Sequence, residues 1–425
     1  MTRTRLLAGA ALAALAAHGA AAADLRLVEV ITSPERTETL EQLVSEWEQE
    51  TGNTVEIVSL PWGQAFETLA TMVAGGDIPD MVEMPDRWLA QYSAAGQLVD
   101  LAPFVAEWEH GSTLTEQTVR MGSMTATEKL EMIPYGFYLR AMFYNKDLLE
   151  QAGVAEPPRT MEEFVQAAAA VSELDGKYGY CLRGGPGATN GWMMFGAAMN
   201  DSPEFFTEDG QSRVNEPGFV QGLQTLIDIY QSGSAPRDSI NWGFNEIVAG
   251  FYSGTCAFLD QDPDALIGIA DQMNPESFAV MPMPVGPGGR AFPTIGYAGW
   301  SIFNSSEHPD EAWSLIAHLS APESNSVWAQ RVGVIPIHQG ADQDPYFRTE
   351  QFAGWFEELN NPDTYIPLSM PSYLEGFGFF ADQLSIETSQ QALLGEITAQ
   401  EMADQWAEYL TEEYGKYQEA QAAAQ

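Results

Sequence analysis

The alternation of strands and helices that begins at Asp24 limits the possible folds more than any other feature of the chain. "LRLVEVI" predicts a strand, and Ser33-Pro34-Glu35 then supplies a capping residue, a first-turn proline and an acid, which are typical of a helix start. The apolar residues between 40 and 47 recur at helical spacing. The strands "TVEIVSL" and "PDMVEM" follow, separated by the helix "GQAFETLATMVAGG". This β-α-β-α-β order predicts a mostly parallel sheet covered by helices.

The same alternation returns later in the chain, which indicates a second α/β lobe. "YGYCL" and "TCAFLD" predict strands, and "MEEFVQAAAAVSEL" and "FVQGLQTLIDIYQSG" predict helices. Residues 282–294, "PMPVGPGGRAFPT", are rich in Pro and Gly and interrupt the pattern, which favours a crossing back to the first lobe or a surface turn. Because single cores stop growing near about 250–300 residues, 425 residues predict at least two lobes. A ligand would bind between them, beyond the carboxyl ends of the strands.

Residues 1–23 have the pattern of a cleavable secretory signal peptide. Arg3 and Arg5 precede an Ala-rich apolar stretch, and Ala21-Ala22-Ala23 provides a small-residue cleavage site. A membrane anchor is the alternative, but a span needs about 20 strongly apolar residues. No cysteine lies near the cleavage site, so a lipid anchor is not expected. We therefore expect a soluble, exported protein in a periplasm.

Charge and motif content exclude several classes of function. The formal net charge of −42 disfavours nucleic acid and anionic lipid, which both attract basic patches, and indicates an acidic surface suited to salt. The sequence contains no H-x-x-x-H pair, cysteine cluster, EF-hand loop, P-loop or G-x-S-x-G motif. We therefore expect no metal, no cofactor, no catalytic residue and a monomer that is not an enzyme.

The two cysteines, Cys181 and Cys256, each lie in a short strand-like run. An oxidising compartment permits a disulfide between them, but a bond also requires Cα atoms within about 7 Å, which sequence does not give. A disulfide and two buried free thiols therefore both stay open.

The segments that follow predicted strands mix aromatic rings with planar polar side chains. A pyranose presents C–H faces that stack on rings, and its hydroxyls need donors and acceptors in fixed planes. The set therefore suits a polyhydroxylated ligand. Core packing is the alternative for any single Trp and is favoured for Trp47, Trp313 and Trp406 on predicted helices, whereas ligand contact is favoured for the tryptophans near strand ends. The candidate ligand-binding residues from these segments are Ser33, Glu35, Trp62, Gln64, Asp86, Arg87, Trp88, Gly185, Asn190, Trp192, Trp242, Asp260, Asp262, Gly296, Tyr297 and Trp300.

Four longer segments carry a family resemblance. "YNKDLLEQAGVAEPPRTMEEF" (residues 144–164) resembles the Y-N-K-D-L segment, followed by Pro, Thr and an acidic helix start, of ATP-binding-cassette transporter solute-binding proteins related to maltose-binding protein. "GGDIPDMVEMPDRWLAQYSAAGQLVDL", "FYSGTCAFL" and "VGVIPIH" resemble further segments of that family in the same order. The resemblance implies the two-lobed periplasmic binding protein fold of type II, an α/β fold whose hinge has three crossovers.

The resemblance also implies the lobe boundaries and the partners. The N-terminal lobe would comprise residues 24–135 and 294–337, and the C-terminal lobe residues 136–293 and 338–425. A cleft between them would close on a small carbohydrate, which the protein would deliver to the membrane permease subunits of an importer.

Individual site residues follow from the family's motifs. Asp86 and Arg87 match its sugar-binding Asp-Arg pair, but Tyr138 stands where the maltose-binding members have a ligand-contacting glutamate, so maltose itself is not implied. "LDQDPD" lacks the tryptophans that the family carries there, so Trp242 or Trp300 would supply the stacking face. Arg331 adjoins the late loop "VGVIPIH", and Tyr373 or Phe377 matches the family's late aromatic residue.

The segment "PYGFYLR" (residues 134–140) is interpreted as the first crossing between the lobes. Strict alternation places residues 138 and 140 on one face, with residue 135 displaced by a kink at Gly136. Tyr135, Tyr138 and Arg140 would then point to the ligand. The alternative for Arg140 is a structural ion pair with a carboxylate.

The sequence thus predicts a binding protein that captures a sugar by hinge closure. An anionic glycoside or polyol, such as a sulfosugar, a glycerol glycoside or a phosphodiester, is the alternative ligand, because Arg87, Arg140, Arg183 and Arg331 could hold a negative group. A secreted carbohydrate-active enzyme and a chemotaxis receptor-feeding role are the alternative functions.

Overall fold

The computed structural model describes residues 22–340, 343–348 and 350–424. The predicted signal peptide lies outside this range except for its last two residues. No helix in the described ranges has both the length and the apolarity to cross a membrane.

The first sheet has six strands, of which four lie early in the chain and two come from later segments. Its strands are β1 (Asp24–Glu29), β2 (Thr54–Ser59), β3 (Met81–Pro85), β4 (Ile133–Leu139), β9 (Thr294–Ile302) and β10 (Leu368–Ser369). β1 is parallel to β2 and β3, as predicted. β9 is antiparallel to β3 and β4 and parallel to β10, so the sheet is mixed. The predicted mostly parallel arrangement holds for β1–β3 but not for the sheet as a whole.

The second sheet has four strands, in the order β6-β7-β5-β8. These are β5 (Ala141–Asn145), β6 (Tyr178–Tyr180), β7 (Cys256–Gln261) and β8 (Phe278–Met281). β6 and β7 are parallel, whereas β5 is antiparallel to both β7 and β8. The α/β fold with two sheets, and hence two lobes, is the architecture that the sequence predicts.

Helices connect and cover the strands. Before the second sheet they are α1 (Pro34–Thr51), α2 (Trp62–Ala74), α3 (Asp86–Ala94), α4 (Ala102–Glu107) and α5 (Glu116–Gly122). Those between β5 and β9 are α6 (Lys146–Gln151), α7 (Met161–Ser172), α8 (Thr189–Asn200), α9 (Pro217–Gln231), α10 (Phe244–Tyr252) and α11 (Asp264–Gln272). The last are α12 (Pro309–Ser320), α13 (Pro322–Val332), α14 (Ala353–Asn360), α15 (Phe377–Phe379), α16 (Ser385–Leu394) and α17 (Ala399–Ala424).

Helix α1 shows how local sequence sets an element that borders the site. The Ser33 hydroxyl accepts a hydrogen bond from the Arg36 N–H, Pro34 occupies the first turn, and Gly52 ends the helix with a φ of 79°. The helix therefore begins directly after β1, and its first turn lies at the edge of the sheet where a ligand is expected.

The chain passes between the lobes at the end of β4, after β8 and again between α13, which packs on α1 and β4, and α14, which packs on β5 and β8. β4 stays in the first sheet to Leu139, and β5 begins in the second at Ala141, so Arg140 is the first crossing. Residues 282–293 join β8 to β9 and form the second. The exact lobe boundaries stay a prediction, although β4 continues four residues past the boundary placed at 135.

A disulfide joins Cys181, just after β6, to Cys256 at the start of β7. Their Cα atoms are 5.4 Å apart, so the geometric condition that the sequence left open is met. The bond connects two neighbouring strands at the edge of the second sheet, next to the loop that leads into α8.

Candidate functional site

A cavity of about 780 Å³ lies between the two lobes. Both lobes line it: the first through the ends of β1, β2 and β3, and the second through the loop before α8, helix α10 and the segment after β7. Cavities of this volume hold small molecules in many proteins. The predicted site residues that line it are Ser33, Glu35, Trp62, Asp86, Arg87, Tyr138, Arg140, Asn190, Asp262, Gly296, Tyr297 and Arg331.

The other predicted site residues do not line the cavity. Trp88, Tyr135, Trp192 and Trp300 are each 1% exposed and lie in the hydrophobic cores. Helix and strand geometry explains these positions, because neighbouring residues point in different directions. In α3, for example, consecutive residues are about 100° apart around the axis, so Arg87 faces the cavity while Trp88 faces inward. The remaining residues outside the lining are Gln64, Gly185, Trp242, Asp260 and Tyr373.

These displaced residues have other contacts. Gln64 is exposed on α2, and Trp242 packs against Gly250 of α10. Tyr373 packs against Tyr417 of α17, with ring centres 4.7 Å apart. Gly185 lies against the backbone of Asn241, where a Cβ atom would come within 2.6 Å of the carbonyl oxygen. The positions of these residues, outside the cavity wall, therefore do not support the ligand contacts that the sequence predicted for them.

A buried polar cluster supports the cavity wall at β4. The Tyr135 hydroxyl donates to Glu83 Oε1 at 2.7 Å and lies 2.9 Å from the Tyr138 hydroxyl. Arg36 Nη2 donates to the same Glu83 oxygen at 2.8 Å. The two tyrosines meet because the register of β4 shifts between Pro134 and Gly136, which is the kink that the sequence predicted. The Tyr138 side chain lines the cavity, and the buried Tyr135 hydroxyl contacts the Tyr138 hydroxyl from the side away from the cavity.

Arg36 is a cavity residue that the sequence reasoning missed. Its Nε donates to the Ile31 carbonyl at 2.6 Å, and its Nη1 to the Tyr138 hydroxyl at 3.3 Å. The position in the first turn of α1, directly after the capping segment, was a usable signal. A helix start at a strand end places its first side chains toward the ligand cavity.

The Asp86-Arg87 pair lies at the start of α3. Asp86 is 8% exposed and accepts a hydrogen bond from the Arg87 N–H at 2.7 Å. Burial raises the pKa of Asp86 to about 6, although the neighbouring Arg87 charge lowers it. The Arg87 guanidinium carbon is 5.3 Å from the Trp62 ring centre. A carboxylate, a guanidinium and a ring are thus adjacent on one wall.

Arg140 connects the two lobes electrostatically. Its Nη1 donates to Asp260 Oδ2 at 2.7 Å and to the Asp260 carbonyl at 2.8 Å. Its Nε lies 3.4 Å from Asp262 Oδ1. The structural ion pair that the sequence left as an alternative is therefore present, and the side chain also borders the cavity.

Further charged residues of the second lobe line the cavity, among them Asp264, which was not predicted as a site residue, and Arg183, which the sequence offered only as a holder of an anionic group. Burial, and then the Asp262 charge, raise the pKa of Asp264 to about 7. Burial, and then the Arg140 charge, lower the pKa of Arg183 to about 9. Asp264 ends the run "DQDPD", so the spacing was readable from the sequence. Helix α10 adds Phe244 and Tyr252 to the wall.

Metal binding finds no support in the part of the chain that the structure describes. Within those residues, no group of three or more His, Cys, Asp or Glu side chains is arranged to hold a metal ion. The cavity instead offers rings, carboxylates, guanidinium groups and amides, which can stack on and hydrogen-bond to an uncharged polar molecule.

The chain is similar to known binding proteins over most of its length. A protein of Brucella abortus (strain 2308), named as a binding protein, is 25% identical over 377 residues, which cover 87% of this chain and 89% of the relative. The erythritol/L-threitol-binding protein of Mycolicibacterium smegmatis is 24% identical over 349 residues, which cover 72% and 71%. The fold matches maltose-bound T. maritima MalE3 with a TM-score of 0.80 at 23% identity, over 92% of this chain and 99% of that one.

The family model described as bacterial extracellular solute-binding protein matches residues 33–326. This range holds β2–β9, the disulfide and all cavity residues except Ile31, Thr32, Arg331 and Val332. It also holds three of the four segments that carry the sequence resemblance. The resemblance is therefore confirmed, and the chain belongs to the bacterial extracellular solute-binding protein family.

Proposed function

We propose that the protein captures a carbohydrate or polyol in the cavity between its lobes and delivers it, chemically unchanged, to the permease subunits of an ATP-binding-cassette importer. The observation that carries the proposal is that both lobes contribute to one cavity. Trp62, Asp86 and Arg87 come from the first lobe, and Asn190 and Asp262 from the second. A ligand that contacts both sets would hold the lobes together.

The chemistry of the wall supports a hydroxyl-rich ligand. Ionised Asp86 and Asp262 accept hydrogen bonds from hydroxyl groups, whereas Arg87 donates to hydroxyl oxygens and Asn190 can do both. Trp62 provides a ring for the C–H groups of a sugar or polyol. Arg36 and Tyr138 add further donors on the first lobe. The alternation of rings and polar groups matches the alternation of C–H and O–H groups on such a ligand.

The relatives support the same class of ligand. The Mycolicibacterium smegmatis relative is named for erythritol and L-threitol, and the T. maritima structure contains maltose. Both a four-carbon polyol and a disaccharide are uncharged and carry hydroxyl groups on most carbons. The cavity of about 780 Å³ has room for either size class.

Binding would act by selecting the closed arrangement of the lobes. A ligand shifts an open–closed equilibrium only by the difference between its affinities for the two states. A dissociation constant near 1 μM would correspond to about −8 kcal/mol of binding free energy. The importer then distinguishes loaded from empty protein by the closed form.

The proposal also includes that the protein is exported, is a monomer and does not catalyse a reaction. Membership of an extracellular family supports an exported protein, which we place in the periplasm as a monomer. A binding protein must return its ligand intact, so prolonged incubation with a bound oligosaccharide should release no product detectable by mass spectrometry. Product that increases with protein concentration would instead support a secreted carbohydrate-active enzyme.

A melting-temperature screen tests the ligand class. The panel contains erythritol, mannitol, glucose, maltose and their phosphorylated or sulfonated derivatives, with amino acids as a negative set. We expect an increase for at least one sugar or polyol, since a ligand at 100 times its dissociation constant adds about 2.7 kcal/mol. Trp62→Ala and Asp86→Ala should abolish the increase, whereas Gln64→Ala, on the exposed face of α2, should retain it. A panel without any shift, or shifts unchanged in both cavity variants, would contradict the proposal.

A further inference from the structure

We infer that Asp382 is a positioning residue that couples the two lobes by holding Arg87 and Trp88 of α3 from the opposite side of the cleft. The inference rests on the proposed function, because it concerns how the cavity closes. Asp382 does not line the cavity, and the sequence analysis did not single it out. It acts through Arg87, which does line the cavity.

Asp382 and its partners belong to different lobes. Arg87 and Trp88 lie in α3, which packs against β3 and β9 of the first sheet. Asp382 lies in a π-helical turn, Phe380–Leu384, that packs against α16 and α17. The Thr189 hydroxyl of α8 donates to the carbonyl of Ala381 at 2.8 Å, which ties this turn to the second lobe. The turn therefore moves with the second lobe when the cleft opens.

Both carboxylate oxygens of Asp382 bind the first lobe. Arg87 Nη1 donates to Oδ1 at 3.0 Å, and Trp88 Nε1 donates to Oδ2 at 2.9 Å. The side chains of Arg87 and Asp382 are 13% and 15% exposed. Water screens such a pair much less than it screens a surface pair, so the interaction is stronger than the usual exposed ion pair. Opening the cleft would break both hydrogen bonds.

Gly378 provides a second close contact between the lobes, beside the ion pair. A Cβ atom at Gly378 of α15 would lie 3.1 Å from the carbonyl oxygen of Arg87 and 3.2 Å from the rings of Phe66 and Trp88. A Cβ atom at this position would require these neighbours to shift by a few tenths of an ångström, and glycine avoids that shift. A side chain at this position would act as a wedge between the lobes.

The ion pair also sets the geometry of the cavity wall. The Arg87 guanidinium lies over the Trp62 ring, which stacks on the Trp88 ring with centres 5.5 Å apart and planes at 14°. Asp382 holds Arg87 and Trp88 at the two ends of this stack. Closure therefore orders the aromatic and cationic part of the wall in the same step that brings the lobes together.

The experiment compares two variants with two matched controls. Asp382→Ala removes the ion pair, and Gly378→Leu inserts a wedge. Asp363→Ala alters an exposed acid, and Gly415→Leu alters a helical glycine whose Cβ would meet nothing within 4 Å. Small-angle scattering without ligand measures the radius of gyration, which is roughly 22 Å for a compact chain of this length. Calorimetric titration with maltose and with erythritol measures affinity.

We expect Asp382→Ala and Gly378→Leu to increase the radius of gyration of the ligand-free protein, with both controls unchanged. The dissociation constant of whichever probe binds should rise roughly tenfold, because the competent fraction falls. Asp382→Glu should restore most of the affinity. In an Arg87→Ala background, Asp382→Ala removes only the Trp88 hydrogen bond and should therefore raise the dissociation constant by clearly less than in the wild type, which a merely structural role would not produce.

Two results would overturn the inference. One is a radius of gyration for Asp382→Ala equal to that of the wild type, together with an unchanged dissociation constant for a probe that binds. The other is a full additive loss in the Arg87→Ala background. If neither maltose nor erythritol binds the wild type, the scattering comparison alone decides the role of Asp382, and the ligand class is decided by the melting-temperature screen.

Discussion

Arg140 Nη1 lies 2.7 Å from Asp260 Oδ2 at the point where the chain leaves the first sheet for the second. The two side chains are 2% and 3% exposed. The guanidinium therefore joins the first crossing to the end of β7, and Asp262 contributes a second carboxylate at 3.4 Å. A buried charge that loses its partner is costly, so this pair makes a strong prediction about stability.

Arg140→Met should lower the free energy of unfolding by about 3–5 kcal/mol, because it leaves the buried Asp260 carboxylate without its cationic partner, with the Tyr180 hydroxyl still donating to it. Urea unfolding of the ligand-free protein measures the change. Arg159→Met is the matched control, since Arg159 and Glu357 form an exposed pair, with 53% and 41% exposure, that should contribute at most about 1 kcal/mol. Equal losses in the two variants would show that the buried pair has no special role.

Asp86 should make the stability of the ligand-free protein depend on pH. Its pKa is raised from 3.8 to about 6 in the folded state by burial, so the folded protein binds a proton more tightly than the unfolded chain. Lowering the pH from 8 to 4 therefore stabilises the fold through this group, by up to about 3 kcal/mol. Asp86→Asn removes this contribution and should be more stable than the wild type at pH 8 but not at pH 4.

The effect of pH on ligand binding should have the opposite direction. A hydroxyl-bearing ligand donates to the ionised Asp86 carboxylate, so its binding favours the deprotonated form. The affinity for a sugar identified in the screen should fall as the pH drops below about 6. Titrations at pH 8 and pH 5 would reveal this, and an affinity that does not change between them would argue against a hydrogen bond to Asp86.

The disulfide should stabilise the fold mainly by restricting the unfolded chain. Cys181 and Cys256 are 75 residues apart, for which the chain-entropy relation gives about 4 kcal/mol. The double variant Cys181→Ser/Cys256→Ser should lose a free energy of unfolding of this order, measured in urea. Dithiothreitol should destabilise the wild type similarly and leave the double variant unaffected. A wild type that is insensitive to the reductant after full reduction would contradict the prediction.

Gly136 should be essential for the tyrosine cluster at β4. A Cβ atom there would lie 2.4 Å from Val334 Cγ2, so Gly136→Ala should cost about 1–3 kcal/mol of unfolding free energy by overpacking. Val334→Ala removes Cγ2, the nearest clashing atom, but keeps Val334 Cβ, which would lie 2.6 Å from the added Cβ, so it should relieve the clash only in part. The double variant Gly136→Ala/Val334→Ala should therefore be more stable than the sum of the single changes indicates, and simple additivity would refute the assigned contact.

Much of the fold could be predicted because its signals are local. Ser33-Pro34 marks the start of α1, Gly52 marks its end, and the Pro/Gly-rich run at 282–294 marks the return to the first sheet. Each signal depends on backbone chemistry within a few residues. Polar and aromatic residues at strand ends likewise identified Trp62, Asp86 and Arg87 as cavity residues, because strand ends converge at one edge of a sheet.

The tertiary structure alone decided which of these side chains face the cavity and which support it. Trp88 adjoins Arg87 in sequence but lies in the core, and Asp382 is nearly 300 residues from Arg87 yet binds it. Arg36, in the first turn of α1, likewise hydrogen-bonds to Tyr135 and Tyr138 of the kinked β4, about 100 residues later in the chain. Such contacts depend on how distant segments pack against one another, and residue spacing along the chain carries no record of that packing.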